Sequence, residues 1–305
     1  MRFARPIFLA LFGFVSLTLT AQGEDFPKSI VSWEPIDPLT VFRGEGGKAW
    51  DKKIRERGWI AFDGKTYHLW YTGYNEDRSP NRLLGHATSP DGLRWARDMA
   101  NPIHDTSWVE DVCLVQKDGI DFLFAEGVND RAHLLTSPDG IHWKDQGTLD
   151  VRTTQGRPIP PGPFGTPTAL FEKGTWYLFY ERGDRGVWLA TSKDLKVWTN
   201  ASDEPILKMG PELYDKYAVA FDQVFKRDGV FYAFYHANAH QPWKDWTTCV
   251  ARSKDLVHWE KYPGNPILKE KNPSSAIMIE TPEGDRLYSM HPDVRVYVHP
   301  KEKKN

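Results

Sequence analysis

TSPDGLRW (Thr88–Trp95) is followed along the chain by TSPDGIHW (Thr136–Trp143), TSKDLKVW (Thr191–Trp198) and RSKDLVHW (Arg252–Trp259). The four tryptophans lie 48, 55 and 61 residues apart. A phrase that returns at this period marks one supersecondary unit repeated around an axis or along a stack. What surrounds the phrase decides which.

Upstream of each copy stand two apolar, aromatic runs split by a charged or glycine turn. They are Trp59–Phe62 and Tyr67–Tyr71 around Asp63-Gly64, and Val112–Val115 and Phe122–Phe124 around Asp118-Gly119. Next come Thr168–Phe171 and Trp176–Tyr180 around Lys173-Gly174, then Val224-Phe225 and Val230–Tyr235 around Asp228-Gly229. Short β-branched and aromatic runs broken by such turns read as hairpins. A third strand of small residues precedes each phrase, as at Gly85-His86-Ala87 or Cys249-Val250-Ala251, and the phrase Trp opens a fourth strand ending in a Pro-Ile pair. No stretch carries a long 3.6-residue apolar period, which excludes a helical solenoid. Four antiparallel strands per unit make a propeller blade.

A fifth unit has three strands, Ala276–Ile279, Arg286–Ser289 and Val294–Val298, and then the chain ends. Its fourth strand is expected at the other terminus, where Ser32–Leu39 repeats the Trp-to-Pro-Ile ending and the segment Ser32–Phe42 can pair with the last blade. Closure of this kind removes two exposed sheet edges. The expected fold is an all-β, five-bladed β-propeller with four antiparallel strands per blade, spanning residues 24–305.

Residues 1–23 read as a signal peptide, with Arg2 and Arg5, the apolar run Ile7–Leu19 and a small-residue site at Ala21-Gln22-Gly23. The apolar run is short for a membrane span, so the expectation is a secreted or periplasmic protein with no membrane segment after cleavage. A net charge of −2 offers no basic footprint for nucleic acid. The chain reads as a monomer that binds carbohydrate. Cys113 and Cys249 fall on blades that are not neighbours and are expected as two buried thiols. No Cys/His spacing calls for a metal or cofactor, although a structural or site cation such as calcium would fit the fold.

In a propeller the start of each innermost strand and the end of each second strand meet at one mouth of the channel. The second-strand ends carry Glu126, Glu181, His236 and His291, each 55 residues after the last. The first-strand starts carry Glu110-Asp111 on blade 2 and Asp222-Gln223 on blade 4, with Asp51, Arg55, Glu56 and Arg57 before the first strand of blade 1. Blade 3 starts Gly165-Thr166-Pro167, without a carboxylate. Acids and imidazoles crowded into one funnel perturb each other's proton affinity, as acid/base chemistry requires. The aspartates of the repeated phrase (Asp91, Asp139, Asp194, Asp255) are turn formers, and its tryptophans are wedges between blades.

The ring of TS-x-D-G/L-x-x-W turns, each preceded by a hairpin ending in an aromatic strand, resembles the five-bladed propeller glycosidases. These are the arabinanases, β-xylosidases/arabinofuranosidases, fructosidases and anhydrogalactosidases. The resemblance spans residues of about 28–300. It implies a secreted hydrolase of plant or algal oligo- or polysaccharides, with a base on blade 1, an orienting Asp on blade 2 and an acid on blade 3. Asp111 or Glu110 matches the blade 2 place. Asp51 or Glu56 would stand in on blade 1, and Glu181, the nearest acid on blade 3, is the expected proton donor ahead of His236 and Glu126. The histidine acid of the anhydrogalactosidases would make His236 or His291 the donor. Asp222 completes the candidate catalytic set, and Arg57, Glu126, Trp59, His291 and Gln223 are the expected substrate contacts. Arg182 is a second arginine placed to hold a hydroxyl or an acidic substituent. The Asn-Asp-Pro-Asn and Arg-Asp-Pro signatures of the fructosidases are absent. Other readings are a non-catalytic carbohydrate-binding propeller, a glycoside phosphorylase on the same fold and a six-bladed sialidase, whose Asp-box spacing differs from Asp91-Gly92 here.

Overall fold

The computed structural model describes residues 25–242 and 244–301, and the leader read from residues 1–23 lies outside them. Five antiparallel sheets form the blades. Blade 1 is Lys53–Phe62, Tyr67–Tyr74, Leu83–Ser89 and Ala96–Arg97, and blade 2 is Glu110–Lys117, Ile120–Gly127, Arg131–Ser137 and Lys144–Thr148. Blade 3 has Gly165–Glu172, Thr175–Glu181, Gly186–Ser192 and Val197–Asn200, while blade 4 has Ala218–Arg227, Val230–Asn238, Thr247–Ser253 and Trp259–Lys261. Blade 5 is Ser274–Ile279, Arg286–His291 and Val294–Val298. Each inner strand touches that of the next blade, and the last touches the first.

Two details correct the strand pattern expected from sequence. The Pro-Ile segments do not continue the fourth strands; they turn back onto the third, with His104 bridging Leu84 and Leu207 pairing with Val187. Proline has no N–H to extend a ladder, so the fourth strand stops before it. Blade 3 has six strands, because Asp150–Arg152 and Leu207–Lys208 both join its sheet.

The apolar core is divided into five wedges between blades, and the phrase tryptophans sit in them as expected. Trp95 packs between blades 5 and 1, Trp143 between 1 and 2, Trp198 between 2 and 3, and Trp259 between 3 and 4. The phrase aspartates each accept two backbone N–H bonds, as Asp139 does from Ile141 and His142. The fifth residue of the phrase is in left-handed backbone in all four copies, Gly92 (φ 69°), Gly140 (73°), Leu195 (66°) and Leu256 (68°). Glycine takes that conformation freely, and leucine there costs roughly 1 kcal/mol.

The ring closes through the N-terminus. Glu34–Phe42 pairs with Val294–Val298, Glu34 opposite Val298 and Phe42 opposite Val294. Pro35 and Pro38 lie on this outer strand, where a missing donor blunts the edge. The segment before it supplies the phrase that blade 5 lacks. Trp33 fills the wedge between blades 4 and 5, and its Nε1 donates to the carbonyl of Ile30, as Trp143 does to Gly140 and Trp259 to Leu256. Deleting residues 25–42 therefore removes both a strand and a wedge. A truncated protein is expected to lose cooperative thermal unfolding, and one that melts like the full chain would contradict this closure. Cys113 and Cys249 are buried and unbridged.

Candidate functional site

Strand pairing sets Glu110 opposite Glu126, Gly165 opposite Glu181, Ala220 opposite His236 and Ser274 opposite His291. A funnel of about 1100 Å³ opens at this mouth of the channel. Its wall carries Arg55 and Glu56 from blade 1, Asp111 and Glu126 from blade 2, Thr166 and Glu181 from blade 3, His236 from blade 4 and His291 from blade 5. The inner strands of blades 1 to 4 slip register near their starts. In the inner strands of blades 1, 2, 3 and 5 a non-glycine residue adopts left-handed backbone: Glu56 (φ 53°), Asp111 (47°), Thr166 (44°) and Ser275 (59°). Such bulges re-aim a side chain and hold strain of about 1–3 kcal/mol each. Here they bring Glu56, Asp111 and Thr166 to the funnel wall.

The funnel sorts its titratable groups. Burial opposes ionisation of Glu56, but the contact with His291 Nδ1 at 3.1 Å and the adjacent Arg55 override it, lowering its carboxyl to about 2. Asp111 is raised, by burial first and then by the charge on Glu56. Burial also pushes Glu126 well above the usual carboxylate range, helped by Asp111, Glu110 and Glu181. Glu181 rises to about 7 through burial and Asp184. His236 runs against its burial: Asp222 Oδ1, 2.7 Å from Nδ1, raises it to about 9. Within one funnel, proton affinity is thus lowered at Glu56 and raised at Glu126 and His236.

Hydrogen bonding separates the two acids on the far wall. Glu126 accepts at Oε2 alone, from Thr166 N at 2.7 Å and Thr166 Oγ1 at 3.3 Å. Glu181 accepts at both oxygens, from Gly165 N at 3.2 Å and from Asp184 N. Gly165 makes this crowding possible, since a Cβ there would come within 2.0 Å of Glu126 Oε2. Glu126 thereby occupies the place that the first strand of blade 3 leaves without a carboxylate.

Asp111, Glu126, Glu181, His236 and His291 line the funnel together, as the strand-end pattern led us to expect. Two candidates stand one layer behind. Glu110 accepts from Trp108 Nε1 at 2.9 Å and pairs with Arg55 at 2.7 Å, while burial raises its carboxyl to about 7. Asp222 is fully buried, splitting its oxygens between His236 and the N–H of Ala276. It positions His236 without facing the funnel.

Four expectations are corrected by position. Arg57, expected to grip substrate, is fully buried on the axis below the site. Its guanidinium donates to the carbonyls of Asp111, Val112, Pro167, Phe221 and Asp222 and to Thr168 Oγ1, joining blades 1 to 4. Asp51 is buried against Tyr71 Oη and Arg97 Nε. Blade 4 repeats its arrangement with Asp215 and Lys261 near Tyr235, and repetition marks architecture. Trp59 packs among the wedges of blades 5, 1, 2 and 3. Gln223 bridges to the backbone N–H and carbonyl of Met278, stapling blade 4 to blade 5.

The residue that sequence reasoning underweighted is Glu56. The signal was available: Glu56 lies 55 residues before Asp111, which lies 55 before Thr166. That is the interval already found at the second-strand ends. Trp246, set edge-on to His236 at 5.1 Å, and Tyr217 came from irregular connections that carry no periodic signal. Among the described residues no group of three or more His, Cys, Asp or Glu side chains is arranged to hold a metal ion.

No protein-family profile matches the chain. It is 26% identical to a 1,2-β-oligomannan phosphorylase of Thermoanaerobacter sp. (strain X514), across 76% of this chain and 86% of that protein. Its shape matches a glycosyl hydrolase from Bacteroides ovatus, with a TM-score of 0.71 at 15% identity over 90% of this chain and 96% of the other. It also matches the β-1,2-mannobiose phosphorylase of Listeria innocua solved with β-1,2-mannobiose, with a TM-score of 0.64 at 15% identity over 87% and 95% of the two chains. The chain has the fold shared by the five-bladed propeller glycoside hydrolases and phosphorylases.

Proposed function

We propose that the protein is a glycoside hydrolase whose funnel cleaves a glycosidic bond between Glu126 as proton donor and Glu56 as the opposing carboxylate. The observation that carries this reading is that one cavity lowers the proton affinity of one carboxyl, Glu56, and raises that of another, Glu126. Glycoside cleavage needs that pair. Glu126 gives its proton to the departing glycosidic oxygen as the C–O bond breaks. Water supplies the new bond to the anomeric carbon, and its proton passes to the Glu56–Asp111 side of the funnel. The His236 imidazolium, oriented by Asp222, is placed to hold a substrate hydroxyl or ring oxygen. Export by the leader would put the substrate outside the cytoplasm.

The second reading is a phosphorylase, favoured by the oligomannan phosphorylase relative. On that reading phosphate replaces water. The funnel wall carries six carboxyl groups (Glu56, Asp111, Glu126, Asp130, Glu181, Asp184) against the guanidinium groups of Arg55 and Arg185 and the imidazole of His236, and of these cations Arg55 is already paired with Glu56 and Glu110 and His236 with Asp222. That balance disfavours a phosphate dianion. The two readings separate on β-1,2-manno-oligosaccharides and aryl glycosides assayed with and without inorganic phosphate. A hydrolase releases free sugar at a rate independent of phosphate. A sugar 1-phosphate formed only when phosphate is present would overturn our first reading.

Asp111→Asn is expected to lower turnover by about 10²-fold or more while leaving the melting temperature nearly unchanged. Asn tolerates the left-handed backbone of this position and keeps an acceptor for the N–H of Arg57 at 3.1 Å. Normal activity in the Asp111→Asn protein would remove this residue from the mechanism.

A further inference from the structure

The funnel continues over blade 3. Pro163, Gly183 and Arg185 line both it and a second depression of about 390 Å³, whose other walls are Arg182 and Trp188. Trp188 breaks the propeller's own pattern. On the third strands, the residues in its place across from Tyr71, Ala125 and Tyr235 are Gly85, His133 and Cys249, all buried. Across from Tyr180, blade 3 instead carries a partly buried indole. The indole packs on the core between blades 2 and 3, but it occurs once in a fold whose architecture repeats, and part of its ring is left in solvent, open to a ligand. Trp188 stacks on Tyr180 with an interplanar angle of 25°, and its Nε1 is committed to the carbonyl of Asp203 at 3.0 Å. What the ring offers the groove is π surface, which suits the C–H face of a pyranose.

Charge changes sign between the two cavities. The funnel wall is dominated by carboxylates, whereas the groove is lined by two arginines and no carboxylate. Arg182 is fixed by bonds to the neutral carbonyls of Pro160, at 2.7 Å, and Pro163, which keeps its charge beside the groove. Arg185 is exposed at the junction. An anionic substituent on the substrate would be repelled in the funnel and attracted here, where a planar guanidinium matches a carboxylate or sulfate.

We propose that this groove is an accessory glycosyl subsite that receives the sugar next to the cleaved bond and selects one bearing a carboxylate or a sulfate ester. The proposal rests on the reading of the funnel as a glycosyl-processing site. Trp188 stacks the pyranose, Arg185 meets its anionic group, and Arg182 holds the Pro160–Pro163 loop that forms the opposite wall.

The test is calorimetric binding and cleavage by the full chain, using neutral trimers of mannose and galactose, trimers of mannuronate and galacturonate, and 6-sulfated galactotriose. At least one anionic trimer is expected to bind about ten or more times tighter than its neutral counterpart, with the uronate and sulfate arms telling the two groups apart. Trp188→Ala should weaken binding by about tenfold or more. Arg185→Gln, at an exposed position that leaves folding intact, should bring the anionic-to-neutral ratio close to one. Equal binding of neutral and anionic trimers, binding indifferent to both substitutions, or no binding of any trimer would each overturn the subsite. Cleavage of neutral trimers untouched by either substitution would leave the catalytic reading standing while the subsite falls. Groove-dependent binding without cleavage of any trimer would do the reverse.

Discussion

Glu126→Gln is expected to abolish cleavage of substrates with poor leaving groups, by about 10²–10⁴-fold, while making the protein more stable at pH 7. The loss should be far smaller for an activated aryl glycoside, whose leaving group needs no proton. The gain in stability follows from the sign of the shift. A carboxyl raised well above its ordinary 4.5 by burial binds its proton more tightly in the folded than in the unfolded chain. Its contribution is therefore favourable at low pH and turns against folding as pH rises above about 4.5. An amide has no charge to suppress, so this cost disappears and the melting temperature at pH 7 should rise. Gln also keeps the single acceptor that Thr166 needs. Glu181→Gln is the control. It gains the same relief, but Gly165 and Asp184 each donate an N–H to a different oxygen of Glu181, and an amide can accept only one of them. The unmet N–H costs about 1–3 kcal/mol, so no net gain is expected. Leaving-group dependence in the Glu181 variant and none in the Glu126 variant would make Glu181 the donor, and Glu126→Gln melting below the native protein would refute the burial argument. For the native protein, turnover of a poor leaving group should fall on the alkaline side as Glu126 loses its proton.

Arg57→Met should fail to fold. Methionine fills comparable volume but leaves the carbonyls of Asp111, Val112 and Pro167 without their donor at the centre of the ring, and those of Phe221 and Asp222 with only the shared hydroxyl of Thr168. Each stranded buried acceptor costs about 1–3 kcal/mol, and together they approach the whole stability of a domain, about 5–15 kcal/mol. Arg57→Lys retains the charge but has three donors in place of a five-donor fork, so it too should lose most of the stability. Circular dichroism and a thermal melt of the purified or refolded variants would show it. An Arg57→Met protein that melts cooperatively and has merely lost activity would return Arg57 to the substrate-binding role expected of it from sequence.

The fate of Arg57 shows where sequence reading stops. Its position just before the first strand was legible, but the side chain's direction depends on a bulge in that strand and on carbonyls from three other blades. Asp51 was misplaced for the same reason, since only the structure puts Tyr71 and Arg97 around it. By contrast the second-strand ends, Glu126, Glu181, His236 and His291, were readable because their 55-residue interval is a property of the repeat itself.

Local periodicity and turn chemistry were enough to establish the number of blades, the hairpins, the wedge tryptophans, the terminal closure and the row of acids and histidines at one mouth. Each blade repeats these features, so each confirms the others before any folding is considered. Which acid holds a proton is a different kind of property, and it emerges when the blades are brought together. Blade 3 begins with Gly165 in place of a carboxylate, and the missing Cβ lets Glu126 of blade 2 enter that gap. Its proton affinity then comes from burial and from carboxylates that are distant in the chain. Proton affinity depends on desolvation and on neighbours across blades, neither of which is written in any one stretch of residues.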